Sequence, residues 1–158
     1  MSQASNENLR PLRHAAQNRC FGCGQANGVG LHLEFQLTPE DGVVCETAVS
    51  DSYEGPPGYL HGGIIATLLD ESMSKAVRAR DVVAMTRHMA VDYRGPVRSG
   101  SAIRLEGRVV RSEGRKHWTE AVVRGAEGRV LARAEGLFVE ISAAQREAFE
   151  EKMRRENK

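Results

Sequence analysis

Apolar residues recur at spacings of three and four between positions 62 and 76, at Ile65, Leu68, Leu69, Met73 and Ala76. This is the period of an α-helix with one buried stripe, and it predicts a helix over 63–79. Upstream, Leu31-His32-Leu33-Glu34-Phe35-Gln36-Leu37 alternates at period two, and after a turn at Gly42 come Val43, Val44, Cys45, Thr47 and Val49. The two runs read as a hairpin. The Gly- and Pro-rich stretch Glu54-Gly55-Pro56-Pro57-Gly58 is a loop leading into the helix. Beyond the helix the pattern predicts four strands, over 84–93, 102–111, 118–124 and 129–140. In the second, Ile103, Leu105, Gly107 and Val109 alternate with Arg104, Glu106 and Arg108, as in an antiparallel sheet with one face on a core and one in water. Residues 143–157 read as a charged terminal helix, to which no chemistry is assigned. One long helix and about six strands predict an α+β fold in which the sheet wraps around the helix.

The chain has 158 residues and is 41% hydrophobic, enough for one core, and no linker divides it. Its formal net charge is +1 with both signs interspersed, so bulk electrostatics favour neither nucleic acid nor a membrane surface. No run of about 20 apolar residues offers a membrane span. Residues 1–8 lack an apolar signal core. The expectation is a cytoplasmic protein. No helix-turn-helix precedes the central region, which gives no support to a transcriptional regulator.

Three cysteines, an odd number, argue against a disulfide framework. Cys20 and Cys23 have the C-x-x-C spacing of half a zinc site or a redox pair, with His14 and His32 nearby. A second paired ligand motif is missing, and Cys45 stands alone in a strand. The expectation is structural thiols in a Gly-rich turn and no metal.

The chemistry concentrates at His61-Gly62-Gly63, where the helix begins. The first N–H groups of a helix have no intrahelical partner and lie at the positive end of its dipole. Glycines there let a substrate carbonyl approach, so Gly62 or Gly63 can donate to an oxygen that becomes negative under nucleophilic attack. His61 fixes the turn by hydrogen bonding. Of the two acids further along, Glu71 faces Lys75 and reads as a surface ion pair. Asp70, on the opposite flank, faces Ala66, Thr67, Met73 and Ser74 with no cation among them. An uncompensated carboxylate beside apolar residues has a raised pKa, which suits a general base.

Gly62 and Asp70 are eight residues apart, about 12 Å along a helix axis at its ~1.5 Å rise. A reacting carbon needs donor and base each within roughly 3–3.5 Å, so both can act on it only if they come from different chains. An obligate dimer with two composite sites is predicted, with helices opposed across a two-fold axis.

The segment Gly58-Tyr59-Leu60-His61-Gly62-Gly63 through Asp70-Glu71-Ser72-Met73 resembles the signature of hotdog-fold acyl-CoA thioesterases of the PaaI-like group. Cys20-Phe21-Gly22-Cys23-Gly24 with Asn27 and Gly30-Leu31, and Tyr93-Arg94-Gly95-Pro96-Val97, extend the likeness over roughly residues 20–140. The resemblance implies a hotdog domain over 20–141, with an N-terminal extension over 1–19 and the charged helix over 142–158. It further implies thioester hydrolysis to free acid and coenzyme A, an oxyanion N–H at Gly62, and Asp70 of the partner subunit as base or nucleophile. Some relatives hold the attacking water with an Asn six residues before the His, where this chain has Gly55. A Ser or Thr seven residues before the strand Tyr is matched by Thr86.

An acyl-CoA substrate brings phosphates, for which Arg94, Arg98, Arg115 and Lys116 are the candidate cations. His88 reads as a strand residue. No cofactor is expected beyond the coenzyme A of the substrate. The expected partners are a second copy, as a dimer or a dimer of dimers, and neither nucleic acid nor membrane. Two other readings share the architecture: an acyl-thioester dehydratase or hydratase, which needs a His paired with an acid, and a non-catalytic acyl-CoA binding protein. An aromatic content of 5% supplies no stacking platform that would favour aryl groups.

Overall fold

The computed structural model describes residues 8–156. Residues 1–7 of the expected extension, and 157 and 158 at the end of the expected terminal helix, lie outside them. The elements run β1 (Arg10–Pro11), β2 (Gln36–Leu37), β3 (Gly42–Ala48), α1 (Gly62–Arg78), β4 (Ala84–Tyr93), β5 (Ala102–Glu113), β6 (Lys116–Arg124), β7 (Val130–Glu140) and α2 (Ala143–Glu156). The strands form one antiparallel sheet in the order β1-β2-β3-β5-β6-β7-β4. It curls around α1, as expected, with β4 at one edge. No helix among the described residues is long and apolar enough to cross a membrane.

The apolar stripe of α1 is the core. Leu68, Leu69, Met73 and Ala76 have no exposed surface and pack with Leu105, Val123, Ala132 and Phe138 of the sheet. Burying each of the larger side chains stabilises the fold by about 1.5–3 kcal/mol. Ser72, also on this stripe, is satisfied by donating to the Leu68 carbonyl at 2.7 Å. The helix meets the sheet most closely at Gly107, where a Cβ would lie 2.3 Å from the Ser72 carbonyl oxygen. Gly107→Ala is therefore expected to force helix and sheet apart and cost about 1–3 kcal/mol or more, which urea unfolding would measure. At α2, Ser142 and Gln145 cap each other's backbone N–H reciprocally, at 3.2 and 2.9 Å.

Two expectations are corrected. The alternating run over 31–37 is a strand only at Gln36–Leu37. His32 takes a left-handed φ of 51° that breaks extended structure. The N–H groups of Leu31 and Leu33 donate to Phe21 and Gly22 rather than to β3. The alternation still buries Leu33 and Phe35, which join the main core. The N-terminal segment covers the flank of α1 carrying Glu71 and Lys75, so their ion pair, at 3.0 Å, is buried rather than at the surface. The sheet has seven strands because Arg10–Pro11, inside the expected extension, pairs with β2.

Candidate active site

His61 precedes α1 with extended backbone (φ −60°, ψ 138°), and its Nδ1 accepts from the Gly63 N–H at 2.9 Å. That side-chain cap takes one of the two candidate oxyanion donors. The Ile64 and Ile65 N–H groups bond the His61 carbonyl, and no acceptor among the described residues takes the Gly62 N–H. Gly62 thus carries the available donor, and Gly63 belongs to the cap. The nearest side chain that a Cβ at Gly62 would meet is Tyr93, at an ordinary 3.7 Å. Nothing inside the protomer therefore requires glycine there, and its bareness leaves room for an incoming carbonyl.

The Tyr93 hydroxyl, at the end of β4, donates to the Gly62 carbonyl at 2.8 Å and braces this turn. In the sequence, Tyr93 stands out only as part of the Tyr93-Arg94-Gly95-Pro96-Val97 motif. Its signal was position, since an aromatic with a polar tip closes a strand directly before Gly95-Pro96. Beside the turn lies a cavity of about 420 Å³ lined by Leu60, Gly62, Ile65, Tyr93, Arg94 and Val97. At Gly55, a Cβ would lie 3.1 Å from the His61 Cα. A side chain at this position would press on His61, the residue that caps the helix.

Two turns along α1, Asp70 is half-buried and accepts from the Thr86 hydroxyl at 2.7 Å. Burial pushes its pKa up, and the Thr86 hydrogen bond partly opposes this. Thr86 reaches it from β4 next to a β-bulge, where the pairing with β7 shifts between Thr86 and His88. Asp70 Oδ1 is therefore oriented while it makes no ion pair among the described residues.

The candidate cations fall into two groups. Arg94 borders the cavity and pairs with Asp92 at 2.9 Å, and the exposed Arg98 lies in the bridge to Tyr59. Arg115 donates to the Glu140 carbonyl at 3.1 and 2.7 Å, and Lys116 faces Val139, whose other neighbour is Met85. The first pair lies at the Gly62 end of β4 and the second at the Thr86 end, so one protomer does not bring the four together.

A sheet wrapped around one long helix, with a capped Gly-rich turn at its start and a carboxylate two turns in, defines the hotdog class. Residues 57–132 match the family model of the thioesterase superfamily. Acyl-coenzyme A thioesterase THEM4 of Xenopus laevis is 32% identical over 73% of this chain and 53% of its own length. A solved thioesterase superfamily protein superposes with a TM-score of 0.73 at 29% identity, over 77% of this chain and 60% of that one. The Escherichia coli PaaI protein shares the fold, with a TM-score of 0.64 at 15% identity over 71% of this chain and 81% of its own. These likenesses place the fold with the hotdog thioesterases, and over residues 57–132 the chain resembles their superfamily. It spans about half the length of the curated relatives it matches.

Proposed function

We propose that this chain is an acyl-CoA thioesterase whose two sites each combine Gly62 of one subunit with Asp70 of its partner. The observation that carries the reading is the pairing of an untaken helix-start N–H with a desolvated, Thr86-oriented carboxylate too far along the same helix to share its substrate. Strand β4 supplies the means of pairing. It is a ten-residue edge strand with no neighbour on its outer side among the described residues, and it exposes Met85 and Tyr93. Two copies of β4 running antiparallel with Thr86 opposite the partner's Tyr93, the bulged Arg87 being skipped, have their two-fold axis at Ala90. Thr86 touches Asp70 and Tyr93 touches Gly62, so this register brings Asp70 against the partner's Gly62. It also joins Arg94 and Arg98 of one subunit to the Arg115 and Lys116 end of the other, a basic rim for coenzyme A phosphates.

The thioester oxygen accepts from the Gly62 N–H. Asp70 takes a proton from water, the water oxygen bonds the carbonyl carbon, and the displaced electron pair rests on the oxygen at the positive end of α1. When the tetrahedral species collapses, the C–S bond breaks, its electron pair leaves on sulfur, and the coenzyme A thiolate recovers the proton from Asp70. The same groups serve direct attack, in which the Asp70 oxygen bonds the carbon, the thiolate leaves, and water then opens the anhydride. A dehydratase needs an imidazole against the acid, whereas the group on Asp70 is the Thr86 hydroxyl.

Thiol release from acetyl- through palmitoyl- and phenylacetyl-CoA tests the reading. Saturable release from at least one ester is expected. Thr86→Val is expected to lower kcat on the order of tenfold with KM unchanged, a hydrogen bond to a charged group being worth about 1.5–3 kcal/mol. No release from any ester, with coenzyme A still raising the melting temperature, would overturn hydrolysis and favour a non-catalytic acyl-CoA binding protein.

A further inference from the structure

We propose that Cys20, Cys23, Glu71 and His14 bind a divalent, thiophilic cation of the zinc class, which ties the N-terminal segment to the central helix. The ligand atoms of Cys20, Cys23 and Glu71 lie within 4.8 Å of one another. Cys20 Sγ is 3.7 and 3.6 Å from the two Glu71 oxygens. A tetrahedral ion about 2.3 Å from sulfur and about 2.0 Å from oxygen has an S···O edge of about 3.5 Å. The Cys20–Glu71 edge therefore already has close to the spacing of a coordination shell, with Cys23 within 4.8 Å of both.

The surrounding residues are arranged for that spacing. Residues 20–24 form a tight turn closed by the Gly24 N–H on the Cys20 carbonyl at 2.8 Å. A Cβ at Gly24 would lie 2.5 Å from both the Asn18 carbonyl oxygen and the Cys20 nitrogen, and one at Gly22 would lie 2.5 Å from Glu71 Oε2. Glycine at both positions is what lets the two sulfurs and the carboxylate converge. Asn18 reaches both cysteines, donating from Nδ2 to Cys23 Sγ at 3.3 Å and accepting from the Cys20 N–H at 3.0 Å. Such outer hydrogen bonds orient metal ligands. Lys75 takes Glu71 Oε1 at 3.0 Å and leaves Oε2 for an ion.

The fourth donor comes from an independent observation. His14 Nε2 is fully buried without a hydrogen-bond partner, one of two such side-chain atoms among the described residues. The ring lies in the fields of Glu71 and Lys75. His14 lines the same pocket as Cys23 and lies outside the 4.8 Å cluster of the other three, so its empty, buried nitrogen is the donor that a side-chain movement would bring to the ion. Charge balance agrees: Glu71 and Lys75 already neutralise each other, and an M²⁺ ion replaces one proton on each thiol, releasing two protons and leaving the net charge of the buried site unchanged. The hydrolytic step uses none of these groups, and Asp70 lies on the other flank of α1.

Cobalt(II) is the probe, titrated anaerobically into the reduced, chelator-treated full chain. One ion per chain is expected, with thiolate-to-cobalt charge-transfer bands, the strong visible absorption of tetrahedral cobalt, and two protons released. Cys20→Ser and Cys23→Ser should lose the charge-transfer intensity, while Cys45→Ser keeps it. Asn18→Ala should weaken affinity by roughly 10–100-fold with the spectrum retained. Absence of a thiolate band in the wild-type chain overturns the proposal, as does a band unchanged in Cys20→Ser. A Cys20–Cys23 disulfide whose reduction restores no cobalt binding also overturns it. If a serine variant fails to fold, the wild-type spectrum alone decides. No substrate enters the measurement, so its result is independent of the thioesterase reading.

Discussion

Asp70→Asn is expected to lower kcat on the preferred acyl-CoA ester by about 100- to 10,000-fold, the usual contribution of a general base, with subunit association unchanged. Asparagine keeps an oxygen to accept from Thr86 and is close to isosteric, so α1 and β4 keep their contact. It also removes a carboxylate whose charged form burial disfavours, so the melting temperature is expected to stay level or rise. This combination separates a chemical role from a structural one, because loss of a structural residue would lower rate and stability together. Rates within a few-fold of wild type would remove Asp70 from the mechanism. Glu71 could not then replace it, because it is buried against Lys75, Cys20 and Gly22 on the opposite flank.

What was legible in the sequence follows the reach of each interaction. The stripe Ile65, Leu68, Leu69, Met73 and Ala76 repeats often enough to identify α1 to within a residue at each end. The expected 84–93 strand has the bounds of β4. The capped turn at the start of α1 was legible because its parts, a capping side chain and two glycines, are contiguous. The expectation of a composite site rests on helix rise alone, which separates Gly62 from Asp70.

The misread parts depend on contacts between distant segments. Alternation over 31–37 is real, but period two says only that a segment is extended and half-buried, not which backbone it pairs with. The left-handed His32 diverts the run to residues 21–22. Glu71 and Lys75 have the spacing of a surface pair, and only the covering segment, some 50 residues earlier, buries them. The same long-range packing joins the C-x-x-C to Glu71 across a sequence separation of 51 residues. The third member of the cluster thus comes from α1 and not from a second paired motif in the sequence. Likewise, the bulge that presents Thr86 to Asp70 is a property of the β4–β7 register.

A complementation between two inactive variants tests the subunit-shared site directly. Gly62→Pro removes one N–H and little else. Proline is favoured at the first helical position, where the lost donor has no intrahelical partner. His61 already has the ψ of 138° that a residue before proline adopts, and the Gly62 carbonyl still accepts from Tyr93. Loss of one oxyanion donor is expected to lower kcat by about 100- to 1,000-fold. Mixed with Asp70→Asn and allowed to exchange subunits, it forms heterodimers in which one site joins an intact Gly62 to the partner's intact Asp70, while the other site lacks both. With random exchange, half the dimers are mixed and each has one working site of two, so roughly a quarter of wild-type activity should return. If donor and acid act within one chain, no pairing restores an intact site and the mixture stays as inactive as its components. Recovery requires the helix start of one protomer to lie against the carboxylate of the other, the arrangement that two copies of the β4 edge create when Thr86 faces Tyr93 across the two-fold axis.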